Sequence, residues 1–506
     1  MFNIKFLFLN DYFKYAKYFL LFNHLIIYIS YLYIKNYYNY DISNRDIDCL
    51  IEHVKINGCL TIKFAQWYCS RLSIENSTTQ NRNESRNNYI LERFSDIFYD
   101  NNSVHSFEYT KNLFYDSTGK NIDDVVIFND IEPISSGSIA QVYDCILREN
   151  GRRVALKIKH PDLKYQIYFP KICIMTLIDL FNYFHIIAYF PFNIDNFFDA
   201  LYRQLDFNEE SKNLKLFKNN FSDSNLIIIP ESLYNNYDII IMAYEDGIFY
   251  EEIDDSICNT FNKFKINFTL FMFVMQCFLI DGVNHADLHN GNWKVRFNSE
   301  LNEYQVIIYD AGVVYQSDVK SMCDLIYCYD SNNIDGFIKI LIRDKYILNL
   351  DDSNRDIIHN LLLDRIKPII QRPFDFSFII FEIVDILKKQ QLNVDGEFIT
   401  LIIGISLVEK HFKKYRIMGN NEITKEDEEF KKYDYDLVCY NDYIERINFC
   451  DTKKNFQKLS DFFKFTLDTL KKTKRINSFD SLEKNMNPNN IKFLDVGLFS
   501  KKMKVT

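Results

Sequence analysis

Glycine is scarce in this chain. Only 13 of the 506 residues are glycine, whereas an average chain of this length holds about 35. Codon bias toward Asn, Ile and Lys accounts for much of this composition, so the scarcity says little about function. It does make each glycine that occurs more informative. With 47% apolar and 25% charged residues the composition is globular, and the length predicts two to four structural units.

C-x-x-C cysteine pairs and a net positive charge are also missing. The eleven cysteines lie between Cys49 and Cys450 without a single C-x-x-C pair, which excludes zinc-ligand spacing and a disulfide framework. Free thiols in a reducing compartment are the expected setting. The net charge is −10, so the surface is not that of a nucleic-acid-binding protein, and no nucleic-acid partner is predicted.

Residues 18–34, "YFLLFNHLIIYISYLYI", contain no charge, and the residues before them are basic. Seventeen residues are the lower limit for a membrane span, and Asn23, His24 and Ser30 weaken that interpretation. A targeting or membrane-associating segment over 1–50 is the prediction. A true span and a buried or surface-docked helix remain as alternatives. The basic, acid-poor start favours mitochondrial placement.

The hydrophobic pattern changes along the chain. Short β-branched runs occupy 125–246, with one inserted helix over about 193–220, and longer helix-like runs follow in 247–506. Gly151, in "RENGRR", marks a hairpin turn. The polar stretches at 76–88 and 420–436 read as loops. With 51–124 as a helical extension, this order predicts an α+β fold with the two-lobed plan of kinases: a small β-rich N-lobe and a helical C-lobe.

The octet "HADLHNGN", from His285 to Asn292, concentrates polar residues at the junction of a helix-like and a strand-like run. It is either an ordinary polar loop, a metal site formed by His285, Asp287 and His289, or the D-x-x-x-x-N spacing of a phosphotransferase catalytic loop. In the last case Asp287 orients the nucleophile and Asn292 binds magnesium.

Two further elements favour the phosphotransferase interpretation. Asp310, in "YDAG", follows an apolar run 23 residues after Asp287, as the second metal carboxylate of such a site does. Lys157 lies in "VALK", close to the V-A-I-K pattern of a phosphate-facing lysine. Its helix partner is expected in "QLDFNEES", where Glu210 is preferred over Asp206 and Glu209.

The glycine-rich loop of protein kinases is absent. The segment that should carry G-x-G-x-x-G is "PISSGSIAQVY", with Gly137 as its single glycine. Ordinary protein kinases are therefore disfavoured.

This segment resembles the alanine-rich loop of the UbiB family, the aarF-domain-containing atypical kinases. Their S-I-G-Q-V corresponds to Ser138, Ile139, Ala140, Gln141 and Val142. The octet resembles H-A-D-x-H-x-G-N, with Asn290 where proline is usual. The resemblance covers about 50–320 well and 320–415 loosely, including a late helix over 393–412.

Two other family motifs are present with substitutions. "TIKFAQ" resembles K-x-G-Q and supplies Lys63 and Gln66, but Ala65 replaces the glycine. "QLDFNEES" resembles the E-x-D segment, in which Gln204 replaces the first Glu. The combination looks like a divergent mitochondrial branch of the family.

The resemblance implies a kinase fold whose N-terminal extension packs over the active site. It implies ATP and Mg²⁺ as cofactors. The implied ATP-binding residues are Ser138, Ile139, Ala140, Gln141, Val142 and Lys157, and the implied catalytic residues are Asp287, Lys157 and Glu210. The implied metal ligands are Asn292 and Asp310, and the implied regulatory residues are Lys63, Gln66 and Asp206. These assignments favour an active kinase or ATPase.

The resemblance also implies partners and a place in the cell. Isoprenoid-quinone precursor lipids or other membrane lipids, and quinone-biosynthesis proteins, are the expected partners, at the mitochondrial inner membrane or another organelle membrane. The function expected is support of ubiquinone biosynthesis or homeostasis. A pseudokinase scaffold and a small-molecule phosphotransferase of the aminoglycoside or choline kinase type are the alternatives.

Overall fold

The computed structural model describes most of the chain up to residue 398. The ranges are 2–38, 40–65, 104–183, 194–222, 224–253, 258, 260–330, 333–343, 346–348, 350–367, 376–390, 392–395 and 398. Gln66 and the polar stretches at 76–88 and 420–436 lie outside them. The chain forms two compact units: unit 1 comprises Met1–Tyr189, Phe198–Ser211 and Glu231–Glu245, and unit 2 comprises Phe190–Phe197, Lys212–Pro230 and Asp246–Thr506. The four predicted segments, 1–50, 51–124, 125–246 and 247–506, stay a prediction.

Unit 1 begins with two packed helices, α1 (Phe2–Tyr37) and α2 (Asn44–Asn57). Ser43 caps α2 through a reciprocal capping box with Asp46. Phe22 and Leu25 of α1 join α2 residues in a buried cluster, so one face of α1 is docked on protein. The segment Tyr12–Tyr37 is long and apolar enough to cross a membrane. A core helix or a signal sequence meets the same criterion, so a membrane span stays a prediction.

The sheet of unit 1 has six strands. They are β1 (Val126–Phe128), β2 (Ser135–Ser136), β3 (Ala140–Leu147), β4 (Arg153–Lys159), β6 (Ser232–Asn235) and β7 (Ile239–Ala243), while β5 (Ile227–Ile228) belongs to unit 2. The order is β1-β3-β4-β7-β6, and β2 pairs with β3. Gly151 takes the positive φ that the β3–β4 hairpin needs.

Two helices precede the sheet and contribute to its core. They are α3 (Phe107–Thr118) and α4 (Ile122–Val125). Phe114 and Ile122 are buried with Tyr143 and Leu156 of the sheet. The sheet and these helices therefore share one hydrophobic core.

The prediction of one inserted helix is wrong, because three helices lie between β4 and β6: α5 (Leu163–Tyr183), α6 (Ile194–Gln204) and α7 (Phe207–Asn220). Helix α5 was missed because its β-branched and aromatic residues favour strands locally and Pro170 disfavours a helix interior. Packing overrides that preference: the Tyr15 ring of α1 lies 4.8 Å from Tyr165 and 4.9 Å from Phe169.

Unit 2 is mainly helical in its described part. Its helices are α8 (Thr260–Gln276), α9 (Val319–Asp330), α10 (Ile334–Arg343), α11 (Asp352–Ile366) and α12 (Phe376–Lys389). A π-helical turn (Cys277–Asp281) follows α8, and 3₁₀ turns occupy Tyr250–Glu252 and Asn290–Asn292.

Short strands carry the loops of unit 2. They are β8 (Val283–His285), β9 (Trp293–Asn298), β10 (Glu303–Ile308), β11 (Val314–Gln316), β12 (Ile347–Leu348) and β13 (Asn393–Val394), paired as β5-β10-β9, β11-β8 and β12-β13. The helix expected over 393–412 does not start at Asn393, because that residue pairs with β12. The Asp395 carboxylate accepts a hydrogen bond from Phe398 N at 2.9 Å, as a helix cap does. Most of 393–412 lies outside the described residues.

Candidate nucleotide-binding and catalytic site

Lys157 and Glu210 form a buried ion pair in unit 1. Lys157 lies on β4 between two paired strands, and its Nζ is 2.7 Å and 2.9 Å from the two carboxylate oxygens of Glu210. The Glu210 side chain is 2% exposed and that of Lys157 is 13% exposed. Removing either charge would break a buried ion pair, which is strongly unfavourable.

Helix α7 explains why Glu210 is the partner rather than Asp206 or Glu209. Asp206 precedes the helix, and its Oδ1 accepts hydrogen bonds from Asn208 N and Nδ2, both at 2.9 Å, so it caps the first turn. Phe207 and Glu210 are three residues apart and share the buried face. The Phe207 ring lies 5.3 Å from the Lys157 ammonium.

The loop segment Gly137–Val142 comprises the tight turn after β2 and the first three residues of β3. Gly137 N donates to Ala140 O at 2.9 Å, and Ile134 N donates to Val142 O at 2.8 Å. Val142 lies directly opposite Lys157 in the sheet register. Gln141 is fully buried, and its side chain bonds to the main chain of His105.

The helical turn that precedes the predicted K-x-G-Q segment contacts this loop through Cys59. Residues 59–65 are helical and follow Gly58, whose φ is +84°. Cys59 N donates to Gln166 Oε1 at 2.9 Å, and the buried Cys59 thiol interacts with Ser138. Burial raises the pKa of Cys59 to about 11, against the opposing effects of the Lys63 charge and Ser138. Lys63 therefore lies in the helical turn that adjoins the loop.

In unit 2, His285 fixes the backbone around Asp287 and Asp310. Its Nε2 donates to the main-chain oxygen of Asp310, and its Nδ1 accepts from Asp287 N at 3.3 Å. Burial lowers the pKa of His285, and the neutral ring with the proton on Nε2 satisfies both contacts. The ring stacks on Phe217.

The side chains of Asn292 and Asp310 lie at the same end of one hairpin. Strands β9 and β10 pair with Trp293 opposite Ile308, and Tyr309 N donates to Asn292 O at 3.3 Å. Asn292 Nδ2 donates to the main-chain oxygen of Asp287 at 2.6 Å, which leaves the amide oxygen as the atom able to bind a cation. Asp310 Oδ1 accepts from Gly312 N at 2.9 Å.

These donors fit magnesium. Mg²⁺ prefers oxygen ligands and is usually held by one or two protein groups together with substrate phosphates. The alternative metal site of His285, Asp287 and His289 is wrong, because the described residues contain no group of three or more His, Cys, Asp or Glu side chains able to hold a metal. His285 uses both ring nitrogens on the main chain, and His289 Nδ1 accepts from Gly291 N at 3.1 Å.

Sequence reasoning missed several supporting contacts. The Asn290 side-chain amide donates to the Glu251 carboxylate. The asparagine that stands where proline is usual therefore has its own hydrogen-bond partner. Tyr309 OH donates to the main-chain oxygen of Gly291. His105 and His160 were also missed. The position of His160, directly after the "VALKIK" strand and its two lysines, was the available signal.

Comparison with known proteins shows which domain the central part of this chain resembles. Residues 98–337 match the ABC1 atypical kinase-like domain. A probable serine/threonine-protein kinase, abkC, from Dictyostelium discoideum is 29% identical, over 50% of this chain and 35% of its own length. The probable protein kinase UbiB of Photobacterium profundum is 25% identical, over 54% of this chain and 52% of its own length. The chain thus spans about a third to a half of these relatives.

Among solved structures, the Rv3197–erythromycin complex from Mycobacterium tuberculosis matches 61% of this chain and 80% of that chain, at 17% identity and a TM-score of 0.43. That score carries no argument about function. The sequence match and the α+β elements above confirm the predicted kinase-like fold class, and residues 98–337 match the ABC1 atypical kinase-like domain, with UbiB and AarF-domain kinases among the relatives of this chain.

Proposed function

We propose that this chain is an atypical kinase or ATPase that binds Mg-ATP. The observation that carries the proposal is the buried ion pair of Lys157 and Glu210, with Nζ–O distances of 2.7 Å and 2.9 Å. In kinases the equivalent pair holds the lysine at the α- and β-phosphates. A buried lysine on a strand of the sheet, paired with a buried carboxylate, fits that role.

The remaining roles follow from the same chemistry. Asn292 and Asp310 bind the Mg²⁺ that neutralises phosphate charge when the nucleotide is bound, and Asp287 orients the nucleophile. Phosphoryl transfer needs positioning and charge neutralisation more than covalent chemistry. Hydrogen bonds from Asn292 to Asp287 O and from His285 to the Asp310 backbone hold these groups before any ligand arrives.

The loop of Ser138, Ile139, Ala140, Gln141 and Val142 contacts ATP through its backbone in this proposal. The Gln141 side chain is buried and bonded within the protein. Lys63 and Gln66 are proposed as regulatory residues. Asp206 acts on the site by capping α7, the helix that carries Glu210. Support for Lys63 is the contact of its helical turn with Ser138 through Cys59.

Magnesium-dependent nucleotide binding tests the proposal. Mg-ATP at about 100 times its Kd should stabilise the folded protein by about 2.7 kcal/mol, and Asp310→Asn should remove most of that gain. Asp335→Asn is the matched control, because Asp335 lies on α10 of the same unit and pairs with Lys339 on the surface. The measurement is the shift in melting temperature with and without Mg²⁺.

Two outcomes would replace the proposal. An absent nucleotide shift in the parent protein would favour a pseudokinase that binds lipid or partner proteins. Transfer of phosphate from radiolabelled ATP to a soluble hydroxylated acceptor would favour a small-molecule phosphotransferase. ATP hydrolysis that rises with quinone-precursor lipids or anionic liposomes would support a role in ubiquinone biosynthesis or homeostasis.

A membrane partner is proposed for the exposed face of α1. Four apolar residues at seven-residue spacing lie on it and are each more than half exposed: Phe13, Leu20, Ile27 and Ile34. Its polar side chains bond back to the helix, since Asn23 Nδ2 donates to Phe19 O and Ser30 Oγ donates to Ile26 O, both at 2.8 Å. Such self-satisfied polar groups are compatible with lipid. Mitochondrial inner-membrane placement, or another organelle membrane, rests on this face and on the basic start.

Flotation with anionic liposomes tests this membrane proposal. Leu20→Glu with Ile27→Glu should release the protein from vesicles, because charge on the exposed face opposes lipid contact. Ile357→Glu is the control, since Ile357 is equally exposed on α11. Equal binding by both variants would contradict a role for α1.

A further inference from the structure

Two histidines from distant segments meet behind the loop Gly137–Val142. His105 precedes α3, His160 directly follows β4, and their Nδ1 atoms are 2.8 Å apart. His160 also contacts the loop twice: its main-chain N donates to Ile139 O at 2.8 Å, and its Nε2 lies 3.0 Å from Gly137 O. Ser136 Oγ lies 3.4 Å from the same Nε2.

The contacts continue from His105 back to the loop. His105 Nε2 lies 3.0 Å from Thr110 Oγ1, which lies 2.8 Å from Tyr143 OH. Tyr143 OH accepts from the side-chain amide of Gln141. Gln141 Oε1 in turn accepts from His105 N at 2.9 Å. The series of hydrogen bonds thus begins at Gln141 and ends at Gly137, and both residues belong to the loop segment Gly137–Val142.

Each proton in this ring has a defined place. A carbonyl only accepts, so His160 Nε2 must carry a hydrogen for Gly137 O. Burial lowers the pKa of His160 to about 4 and that of His105 to about 3, so both rings are neutral. His160 Nδ1 is then an acceptor, His105 Nδ1 donates to it, and Thr110 donates to His105 Nε2. Tyr143 donates to Thr110, so the side-chain bonds that lead from Gln141 Nε2 to Gly137 O all run in one direction.

We propose that His105 and His160 are positioning residues for the nucleotide loop: a one-directional ring of hydrogen bonds leaves Gln141, passes through both histidines and returns at Gly137, holding the loop in a single backbone conformation. Bonds that point the same way along such a chain strengthen one another. The role in nucleotide binding rests on the proposed function, whereas the holding of the loop does not.

This ring explains how a loop with one glycine keeps a fixed shape. A glycine-rich loop relies on backbone freedom and on the ligand to order it. Here Gly137 O and Ile139 O accept hydrogen bonds from His160. The Gln141 side chain is buried and hydrogen-bonded to His105 and Tyr143. The segment before α3 supplies His105, and α3 itself supplies Thr110. The preceding segment and the loop are therefore ordered together.

Hydrogen exchange of the protein without nucleotide tests the ring directly. The peptide spanning 134–143 contains the Ile134 and Gly137 amides, which are protected by bonds across the loop. His160→Phe keeps an aromatic side chain of similar shape but removes the hydrogen bonds of the imidazole to His105, Gly137 and Ser136, so exchange in this peptide should be about tenfold faster. His160→Gln, which retains a donor and an acceptor, should restore most of the protection.

Two comparisons separate positioning from general packing. His53→Phe is the control: His53 is a half-buried histidine of α2 in the same unit, and it contacts His24 and Tyr28 instead of the loop. It should leave the 134–143 peptide unchanged. The double variant of His105→Phe and His160→Phe should exchange no faster than either single variant, because both break one ring. Unchanged exchange in His160→Phe, or additive single effects, would overturn the ring.

Titration with Mg-ATP adds the functional arm. The Kd should rise about tenfold in His160→Phe and stay within about twofold in His53→Phe. Faster loop exchange with an unchanged Kd would overturn the nucleotide-positioning role. If the parent protein does not bind Mg-ATP, the proposed function and that positioning role fail together, while the exchange data still decide whether the ring holds the loop.

Discussion

The site residues of unit 1 are joined by contacts between distant parts of the chain, whereas those of unit 2 are joined mostly by neighbours. Lys157 and Glu210 are 53 residues apart, and His105 and His160 are 55 apart. In unit 2, Asn292 bonds to the main chain of Asp287 five residues away, and Gly291 bonds to His289 two residues away.

This difference predicts different responses to substitution. A long-range pair joins elements that the fold must bring together, so losing it should lower stability and ligand binding at once. A local turn keeps most of its backbone bonds when one side chain changes. Substitution of the predicted catalytic carboxylate in unit 2 should therefore lower turnover more than stability. His285, bonded to the Asp310 backbone 25 residues away, and Asn290, bonded to Glu251 39 residues away, are exceptions within unit 2.

Lys157→Met should produce the largest effect. It leaves the Glu210 carboxylate buried without its cation, which is expected to lower the free energy of unfolding by about 3–5 kcal/mol. It also removes the proposed phosphate contact, so Mg-ATP binding should be lost. Urea unfolding measures the first effect and titration with Mg-ATP the second.

A double variant separates the two consequences of losing Lys157. Adding Glu210→Gln to Lys157→Met removes the unpaired charge and should recover much of the stability, but not the nucleotide binding. If Lys157→Met alone is as stable as the parent protein, the long-range pair does not support unit 1, and the contrast with unit 2 fails.

Asp287→Asn should have its main effect on turnover. Loss of a group that orients the nucleophile typically costs about 10²–10⁴-fold in rate. The Asp287 main-chain oxygen still accepts from Asn292, so Mg-ATP binding and the melting temperature should change little. Steady-state ATP hydrolysis and thermal shift are the measurements, with Asp335→Asn as the control. A large loss of stability would show that this loop depends on its side chains as much as unit 1 does.

The sequence predicted those parts of the fold that local patterns determine. The runs "AQVYDCIL" and "RVALKIKH" correspond to β3 and β4, with Gly151 at their turn. The D-x-x-x-x-N and D-x-G spacings lie on the expected loop and strand end of unit 2. These features depend on alternation and turn chemistry within a few residues.

The parts that the sequence did not reveal depend on packing between distant segments. Helix α5 has strand-like composition and forms a helix against α1. The burial of Gln141 and its bond to His105 have no local signature. The choice of Glu210 over its neighbours agrees with the observed contact, but the reason, the cap formed by Asp206, became visible only in the structure.

The ring of hydrogen bonds through His105 and His160 predicts that the stability of the protein depends on pH. The pKa of His105 is lowered to about 3 and that of His160 to about 4, both mainly by burial. An unfolded histidine has a pKa near 6.5. As pH falls below about 6.5, the unfolded state takes up protons that the folded state does not, so stability should fall between about pH 6.5 and 4.

Burial also lowers the pKa of His53 and His285, so the informative quantity is the difference between variants. His160→Gln removes one titrating group and should make the loss of stability between about pH 6.5 and 4 shallower. Equal slopes in the parent protein and His160→Gln would argue against a neutral, buried His160.

Asn290→Pro should have the smallest effect. The substitution restores the residue usual at this position in the family motif and removes the side-chain contact with Glu251. Asn290 is the first residue of a 3₁₀ turn, where the fixed φ of proline is tolerated. The free energy of unfolding should change by less than about 1 kcal/mol, and the Kd for Mg-ATP should change by less than about twofold. A larger loss on either measurement would mean that the catalytic loop needs Glu251, in a different 3₁₀ turn 39 residues away, and unit 2 would then depend on distant contacts as unit 1 does.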